Sequence, residues 1–307
     1  MTTLLGDIGG THARFALAEA GGFGAVVTQR VADHASPLAA LRAALAMLGP
    51  ARAVILAIAG PIEGKRARLT NGTWTFDAPA LAAALGLATC HLVNDLEAMA
   101  WALPALGAHD VETWQQGAAA PLAPQAIIAP GTGLGVAGFL PDHGALATEA
   151  GHAGFAPRDA TEAALLAWLQ ARQGAVSTED FLSGLGLVTL HDGLAELRGV
   201  ALPRRDGAEI SAAVEAGCPL AREALDVFGR ALGGFCGDVA LTLGARGGVF
   251  LAGGVAQALA GQLPRAGFLE RFQDRARMRA YLARIPVRLI RHAQPGLLGL
   301  AQMALRT

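Results

Sequence analysis

Two glycine-rich turns in this chain have the composition of phosphate-binding loops. Asp7–Thr11 and Gly131–Gly135 each follow a short apolar strand and lead into a second one. Glycine lets the backbone bend sharply and bring its N–H groups close to phosphate oxygens, and Thr11 and Thr132 each add a hydroxyl donor. Two such turns at matched positions in the two halves of the chain predict a duplicated nucleotide-binding clamp.

The acidic residue of the first turn suits a metal ion. Asp7 lies where a strand ends and where a phosphate would arrive. Magnesium usually takes one or two carboxylates and keeps several of its waters, so we predict that Asp7 holds Mg²⁺ through water. The alternative is an ordinary hairpin in which the aspartate and the glycines only make the turn.

The second turn also matches a dinucleotide fingerprint. Gly133, Gly135 and Gly138 have the GxGxxG spacing, which requires a helix to begin at the glycines. Val136–Leu140 instead has the composition of a strand, and Pro141 follows it. We therefore predict a phosphate-binding hairpin. A nicotinamide oxidoreductase is the alternative, and a fluorescence titration with NADH distinguishes the two.

Asn94 and Asp95 are the pair best placed for catalysis. They follow an apolar strand, and ligands of open α/β sheets gather at the carboxyl ends of strands. Transfer of a phosphoryl group to a sugar hydroxyl needs a carboxylate that accepts the proton. The structural alternative is that Asn94 caps the next helix and Glu97 completes a capping box; a cap and a catalytic site can coexist.

Three more polar residues, Glu149, His152 and Glu179, lie in otherwise apolar surroundings. Carboxylates and imidazoles suit a sugar because they bind hydroxyl groups with good directionality. Glu149 and His152 also have the ExxH spacing of di-iron helices, but such a site needs a second ExxH, and Gly151 disfavours a helix. The structural alternative for Glu179 is a place in the first turn of a helix after Ser177, where a negative charge is favourable.

Alternating strands and helices position these residues. In the first half, the pattern predicts helices over 37–48, 78–85 and 96–103 and strands over 4–7, 13–18, 26–31, 53–59 and 92–94, with a loop over 69–76. In the second half, it predicts helices over 161–172, 221–243 and 296–305, short helices over 265–283, and strands over 127–129, 136–140, 247–252 and 286–290. Buried strands separated by helices imply an α/β fold with a mostly parallel sheet.

Composition and charge exclude several classes of protein. The chain has 307 residues, of which 53% are hydrophobic and 16% charged, and its net charge is −1. This composition excludes a disordered chain and predicts about two domains, and the charge gives no sign of binding to nucleic acid or to a membrane. The three isolated cysteines and the absence of a leader pattern or a long apolar run predict a cytoplasmic protein.

Taken together, these motifs resemble the bacterial glucokinases, a family of the hexokinase, actin and heat-shock ATPase superfamily. The resemblance runs nearly from end to end. Its anchors are the segments 6–11, 57–62, 70–74, 93–95, 131–135, 149–152, 182–184, 252–254 and 295–299. It implies a duplicated ribonuclease-H-like (actin-type ATPase) α/β fold with two domains, a cleft between them for ATP and glucose, and a homodimer. We expect a small domain over 1–108, to which the closing helix 294–307 returns, and a large domain over 109–293.

The resemblance also implies roles for particular residues. Asp95 matches the catalytic base of the family. The residues that match its glucose ligands are Asn94, Asp95, Glu149, His152 and Glu179. The residues that match its nucleotide-binding turns are Asp7, Gly9, Gly10, Thr11, Gly131, Thr132 and Gly133, with Gly253 and Gly254 as the adenosine motif. Ala150 stands where the family usually has glycine.

The expected activity is therefore the phosphorylation of glucose at its 6-hydroxyl by ATP and Mg²⁺, the entry step of glycolysis. The expected partners are glucose and ATP, with no nucleic acid and no membrane. One alternative is a kinase for another hexose. Another is a sugar-binding regulator with a kinase-like fold, which would need a DNA-binding helix-turn-helix ahead of the first strand; we expect none.

Overall fold

The computed structural model describes residues 2–201 and 205–306. Its strands are Thr3–Ile8 (β1), His12–Glu19 (β2), Gly22–Phe23 (β3), Val27–Arg30 (β4), Ala53–Ile58 (β5), Ile62–Glu63 (β6), Arg66–Arg68 (β7), Thr75–Asp77 (β8), Thr89–Asn94 (β9), Val111–Gln115 (β10), Gln125–Pro130 (β11), Leu134–Leu140 (β12), Gly144–Thr148 (β13), Gly248–Leu251 (β14) and Val287–Ile290 (β15).

The α-helices alternate with these strands, as the sequence pattern predicts for an α/β fold. They are Pro37–Leu48 (α1), Ala78–Leu85 (α2), Asp95–Ala102 (α3), Ala160–Gln173 (α4), Gly184–Leu197 (α5), Gly207–Glu215 (α6), Pro219–Leu243 (α7), Gly253–Ala258 (α8), Phe268–Gln273 (α9), Arg279–Ala283 (α10) and Pro295–Ala304 (α11). Within the described residues, none of these helices has the length and apolar character needed to span a membrane.

The described chain divides into two compact units. The first contains the residues up to Asp110, the segment His143–Ala147 and the residues from His292 onward; the second contains Val111–Asp142 and Thr148–Arg291. The predicted domain bounds differ in detail, because they assign 143–147 to the second domain. Met1 and Thr307, which those bounds include, lie outside the described residues.

The first unit is built on a mixed sheet in the order β3-β2-β1-β5-β9, with β4 also paired to β2. β1 and β2 form an antiparallel hairpin, whereas β1, β5 and β9 run parallel. Every residue of β5 is buried, which is typical of a strand covered on both faces. The strand ends of β1, β5 and β9 are in register, since Ile8 lies beside Ile58 and Ile58 beside Asn94.

Local capping signals set the helices of the first unit. The Ser36 side chain accepts a hydrogen bond from the Ala39 N–H, and Pro37 begins α1. The Asp77 side chain accepts a hydrogen bond from the Ala80 N–H at the start of α2, and Gly86 ends this helix in the left-handed conformation.

α11, near the end of the chain, packs against α3 and β1 of this unit. A Cβ on Gly299 would lie 1.7 Å from the Ala98 carbonyl oxygen, so only glycine permits this approach.

The main sheet of the second unit repeats the arrangement of the first. β11 and β12 form an antiparallel hairpin, and β11, β14 and β15 run parallel in the order β12-β11-β14-β15, with β10 antiparallel beyond β15. The hairpin strand and the two parallel strands that follow it therefore occupy the same places in both sheets. The phosphate-loop candidates occupy the equivalent hairpin turns.

The core of the second unit forms around the long helix α7, most of whose residues are buried. A buried ion-pair network adds to this packing. Arg271 donates to the Asp159 carboxylate at 2.7 Å and to the Glu162 carboxylate at 3.0 Å, and Glu162 is only 1% exposed. Burial raises the pKa of Glu162, and its hydrogen bond from the Arg158 N–H and the charge of Arg271 oppose that shift.

The predicted loop over 69–76 is wrong at its carboxyl end. β8 begins at Thr75 and pairs with β7, which pairs with β6 in a separate small sheet. These strands have two or three residues each, which is too short for an alternation of buried and exposed residues to be recognised in the sequence.

Candidate active site

The predicted catalytic pair, Asn94 and Asp95, lies where β9 meets α3. Asn94 is the N-cap of α3, and its Oδ1 accepts from the Leu96 N–H at 2.9 Å while its Nδ2 donates to the Gly60 carbonyl at 3.3 Å. Glu97 accepts a hydrogen bond from the Asn94 backbone N–H, which is one half of a capping box; the other half is not formed, because the Asn94 side chain binds the Leu96 N–H and not that of Glu97. The predicted cap is thus confirmed without a complete capping box, and it also orients Asp95, the first residue of the helix.

Asp95 is a half-buried carboxylate at the N-terminus of α3. Its Oδ1 accepts from the Leu96 N–H at 2.9 Å. Burial raises the pKa of Asp95 to about 6; the Leu96 N–H opposes this shift, and the negative charge of Asp7 adds to it. A carboxyl group with a pKa of about 6 is ionised at neutral pH and is more basic than an exposed aspartate, as a general base requires.

Asp7 lies near the end of β1, ahead of the first glycine turn. Burial raises its pKa, and the charge of Arg14 on β2 opposes the shift. Its Oδ2 would lie 2.9 Å from a Cβ on Gly296, so the glycine in the first turn of α11 makes room for the carboxylate. This contact gives Gly296 a role that the sequence did not indicate.

The two neighbouring carboxylates fit a divalent cation. Asp7 is close enough to Asp95 for its charge to raise the pKa of Asp95, and a cation would relieve that repulsion. Among the residues that the structure describes, no group of three or more histidine, cysteine, aspartate or glutamate side chains could hold a metal ion. The two carboxylates that are present suit Mg²⁺, which takes one or two carboxylates and completes its coordination with water and phosphate.

The first glycine turn is tightly constrained on one side and open on the other. The Gly9 N–H donates to the His12 carbonyl at 3.0 Å, and a Cβ on Gly10 would lie 2.7 Å from the Asn71 carbonyl oxygen. Gly10 and Thr11 are nevertheless exposed to solvent. The turn therefore has a fixed backbone and an accessible outer face, as a phosphate loop needs.

The second glycine turn, Gly131–Gly133, joins β11 to β12. The Gly131 N–H donates to the Gly133 carbonyl at 2.8 Å, and the Gly131 carbonyl accepts from the Gly184 N–H at 2.8 Å. Because β12 is a strand that pairs with β11, no helix begins at these glycines, and the dinucleotide fingerprint lacks its required context. The predicted hairpin is confirmed.

Glu179 lies directly beside this turn. Its Oε2 accepts from the Leu134 N–H at 2.6 Å, and a Cβ on Gly133 would lie only 2.4 Å from that oxygen. The structural alternative for Glu179 is wrong, since the next helix, α5, begins only at Gly184. The carboxylate binds a loop 45 residues away in the sequence, which no local pattern indicates.

Glu149 and His152 are exposed side chains of one short segment. Their Oε2 and Nε2 atoms are 3.9 Å apart, and the two side chains are 82% and 62% exposed, so both can take hydrogen bonds from a ligand. Ala150–His152 forms a 3₁₀ turn rather than an α-helix, so the di-iron alternative lacks its helix. Among the described non-glycine residues, positive φ occurs at Leu122 and Ala276, so Ala150 replaces glycine here without strain.

The third glycine turn follows β14. Gly253 has φ +84°, and a Cβ there would lie 2.4 Å from the Pro130 carbonyl oxygen, whereas a Cβ on Gly254 would meet open space. The turn therefore packs against the end of β11, beside the second glycine turn. The structure brings the second unit's predicted nucleotide residues together at the carboxyl ends of β11 and β14.

Comparison with known proteins decides the family. A family model described as glucokinase matches residues 4–307. The glucokinase of Chromobacterium violaceum is 44% identical over 305 residues, covering 97% of this chain and 88% of the relative. That of Chromohalobacter salexigens is 42% identical over 304 residues, covering 96% and 95%. The chain belongs to the glucokinase family.

A solved structure agrees with this assignment. The crystal structure of a glucokinase from an Antarctic psychrotroph superposes with a TM-score of 0.93 at 31% identity, covering 100% of this chain and 99% of that one. Membership of the glucokinase family confirms the resemblance drawn from the sequence motifs. The roles of the individual residues stay predictions.

Sequence reasoning missed three residues that contact the predicted site residues. Gly60 accepts a hydrogen bond from the Asn94 side chain, Gly296 faces Asp7, and the Gly184 N–H donates to Gly131 in the second glycine turn. All three lie in segments that carry the family resemblance, which was the available signal. Their roles depend on tertiary neighbours, so the sequence by itself assigned them none.

Proposed function

We propose that this chain transfers the γ-phosphoryl group of ATP to the 6-hydroxyl of glucose and releases glucose 6-phosphate and ADP. Membership of the glucokinase family supports the reaction class and both substrates. The observation that carries the mechanism is the placement of Asp95: a half-buried carboxylate directly after the carboxyl end of β9, with a pKa of about 6, near the carboxylate of Asp7.

Asp95 acts as the general base in this proposal. Its Oδ1 is held by the Leu96 N–H, so we assign the incoming proton of the sugar hydroxyl to Oδ2. As the hydroxyl oxygen attacks the γ-phosphorus, the bond from that phosphorus to the bridging oxygen of ADP breaks and Asp95 becomes protonated. Asn94, fixed by its two hydrogen bonds, positions the same sugar.

The glycine turns hold the nucleotide in this proposal. Backbone N–H groups of Gly9–Thr11 and Gly131–Gly133 donate to the phosphates, with the Thr11 and Thr132 hydroxyls, and the Gly253-Gly254 turn contacts the adenosine. Asp7 would hold Mg²⁺ through water, and the ion would supply charge neutralisation on the phosphates. Glu149, His152 and Glu179 complete the sugar ligands.

The proposal also covers the fold type, the domain bounds, the oligomeric state and the location of the protein. The repeated hairpin and parallel strands support a duplicated ribonuclease-H-like fold, with functional domains at 1–108 plus 294–307 and at 109–293. We propose a homodimer on the strength of the family resemblance. We propose a cytoplasmic location because the reaction consumes ATP, which cells hold in the cytoplasm.

The test measures ATP- and Mg²⁺-dependent phosphorylation of glucose, mannose, fructose and glucosamine by the parent chain and by Asp95→Asn. Asp77→Asn is the matched control, because Asp77, like Asp95, lies where a strand meets a helix but is outside the proposed site. Loss of a general base typically costs about 10²–10⁴-fold, so we expect such a loss in Asp95→Asn and less than a twofold change in Asp77→Asn.

The outcomes separate the alternatives. Turnover on glucose that falls in Asp95→Asn supports both the reaction and the base. Turnover confined to another sugar would make the chain a kinase for that hexose. Sugar binding without turnover on any member of the panel would favour the regulator. Unchanged turnover in Asp95→Asn would overturn the role of Asp95.

A further inference from the structure

One short segment, residues 177–184, binds both functional loops of the second unit. On one side, the Glu179 N–H donates to the Gly151 carbonyl at 2.9 Å and the Thr178 N–H to the Ala153 carbonyl at 2.8 Å. On the other side, the Glu179 carboxylate accepts from the Leu134 N–H at 2.6 Å, and the Gly184 N–H donates to the Gly131 carbonyl at 2.8 Å. The segment therefore connects the proposed sugar loop, 149–154, to the proposed phosphate loop, 131–133.

Glu179 is the side chain that makes this connection. Its backbone holds the sugar loop and its Oε2 holds the first residue after the phosphate loop. Within the described residues, its Oε1 makes no hydrogen bond and is free for a ligand. The hydrogen bond to Leu134 is charge-assisted, and such bonds are shorter and stronger than neutral ones. Gly133 is required for it, since a Cβ there would displace the carboxylate.

We propose that Glu179 is a positioning residue for the phosphate loop in addition to a sugar ligand, and that it couples the two binding sites. The proposal rests on the proposed function, because it takes 149–154 as the sugar loop and 131–133 as the phosphate loop. One carboxylate oxygen then orders the loop that binds nucleotide phosphate while the other accepts a sugar hydroxyl.

This arrangement fixes the sign of the coupling. A sugar hydroxyl bound to Oε1 restricts the Glu179 side chain to the conformation that binds the Leu134 N–H. The phosphate loop is then already ordered in part, so the nucleotide loses less conformational entropy when it binds. Sugar therefore tightens nucleotide binding, and by reciprocity the nucleotide tightens sugar binding by the same factor. Glu215 provides a contrast, because it is an exposed glutamate at the end of α6 and lies outside both proposed loops.

The experiment measures the affinity for ADP by calorimetry at fixed Mg²⁺, first without sugar. It compares the parent with Glu179→Gln, which preserves the shape of the side chain, with Glu179→Ala, and with Glu215→Gln as the matched control. From the usual worth of a hydrogen bond to a charged group, we expect ADP binding to weaken about threefold to fivefold in Glu179→Gln and about tenfold in Glu179→Ala. Glu215→Gln should change it less than twofold.

A second measurement repeats the titration at saturating glucose. The factor by which glucose tightens ADP binding should be retained in Glu215→Gln and should fall to about one in Glu179→Ala. If Glu179→Ala does not fold, Glu179→Gln decides the question. ADP affinity equal to that of the parent in Glu179→Gln, or a loss of similar size in Glu215→Gln, would overturn the inference.

The design also separates this inference from the proposed function. A parent that binds ADP in a Glu179-dependent manner but phosphorylates no sugar would leave the inference standing and refute the glucokinase reaction. A parent that phosphorylates glucose, but whose ADP affinity does not depend on Glu179, would support the glucokinase reaction and refute the inference. A parent that does not bind ADP would overturn both.

Discussion

At the scale of single residues, the proposed catalytic group occupies a position that is costly for the fold. Ionised Asp95 is half-buried and near Asp7, and both features raise its pKa. Because the folded state binds its proton more tightly than the unfolded state, the contribution of Asp95 to stability is present at low pH and is lost as pH rises through about 6. The side chain of the neighbouring Asn94 makes two hydrogen bonds, one that caps α3 and one to the Gly60 carbonyl. A carboxylate with a strongly raised pKa, held beside a side chain that is fixed by hydrogen bonds, is typical of a functional site.

The raised pKa of Asp95 predicts the acid limb of the activity profile. Only the ionised carboxylate accepts the hydroxyl proton, so kcat/KM for glucose should fall tenfold per pH unit below the pKa of Asp95. Burial, the largest cause of the shift of this pKa to about 6, persists when Mg²⁺ offsets the charge of Asp7, so the fall should begin well above about pH 4. The measurement is initial-rate kinetics between pH 5 and pH 9 with Mg²⁺ and ATP held saturating. Residual activity of Asp95→Asn should lack this limb, and a parent profile that stays flat down to pH 5 would contradict the assignment.

At the scale of secondary-structure elements, prediction from the sequence succeeded where local signals are strong. α1 was predicted at its observed bounds because Ser36 and Pro37 start it and Gly49 follows it. α2 was also predicted at its observed bounds, between Asp77 and Gly86. These helices carry their own start and stop signals, so tertiary context was not needed to place them.

Elements set by tertiary packing were not predicted. α5 contains Gly186 and Gly193, which lower its helix propensity, yet a Cβ on either would lie under 3 Å from the Phe181 backbone or from the Leu165 side chain. Close packing therefore selects glycine in this helix against its intrinsic preference. Dependence on tertiary contacts also limited the prediction of the site. Asp95 and the glycine turns were found because they follow predicted strands. The contact of Glu179 with Leu134 was not found, because it joins segments that are 45 residues apart in the sequence.

The crossing of α11 and α3 gives a prediction at this scale. In Gly299→Ala, the new Cβ would meet the Ala98 carbonyl oxygen, and because this atom is backbone, a helix has to move. Overpacking of this kind typically costs about 1–3 kcal/mol, so we expect the free energy of unfolding to fall by about 2–3 kcal/mol in urea titrations. Gly261→Ala is the control, since a Cβ there meets no atom within 4 Å. Equal stability of the two variants would show that α11 does not pack against α3 as described.

At the scale of the whole molecule, each unit has its own hydrophobic core, so the described chain contains two bodies that can respond separately to heat and to ligands. Proteins of this kind often depart from two-state unfolding, and a single melting temperature then reports the less stable unit. A ligand that binds only the folded chain stabilises it in proportion to the logarithm of its concentration.

Thermal unfolding with sugar present therefore tests the proposed substrate on the intact molecule. At about 100 times its Kd, a ligand adds about 2.7 kcal/mol, which for a chain of this size raises Tm by several degrees. We expect this shift with D-glucose, growing with concentration, and none with L-glucose, which has the same effect on the solvent but presents its hydroxyl groups in mirror-image order. Asp95→Asn should retain most of the shift, because its amide still binds a hydroxyl, whereas a Glu149→Ala, His152→Ala double variant should lose it. Equal shifts with the two enantiomers would show that the stabilisation comes from the solvent, and would remove the support that sugar binding gives to the proposed function.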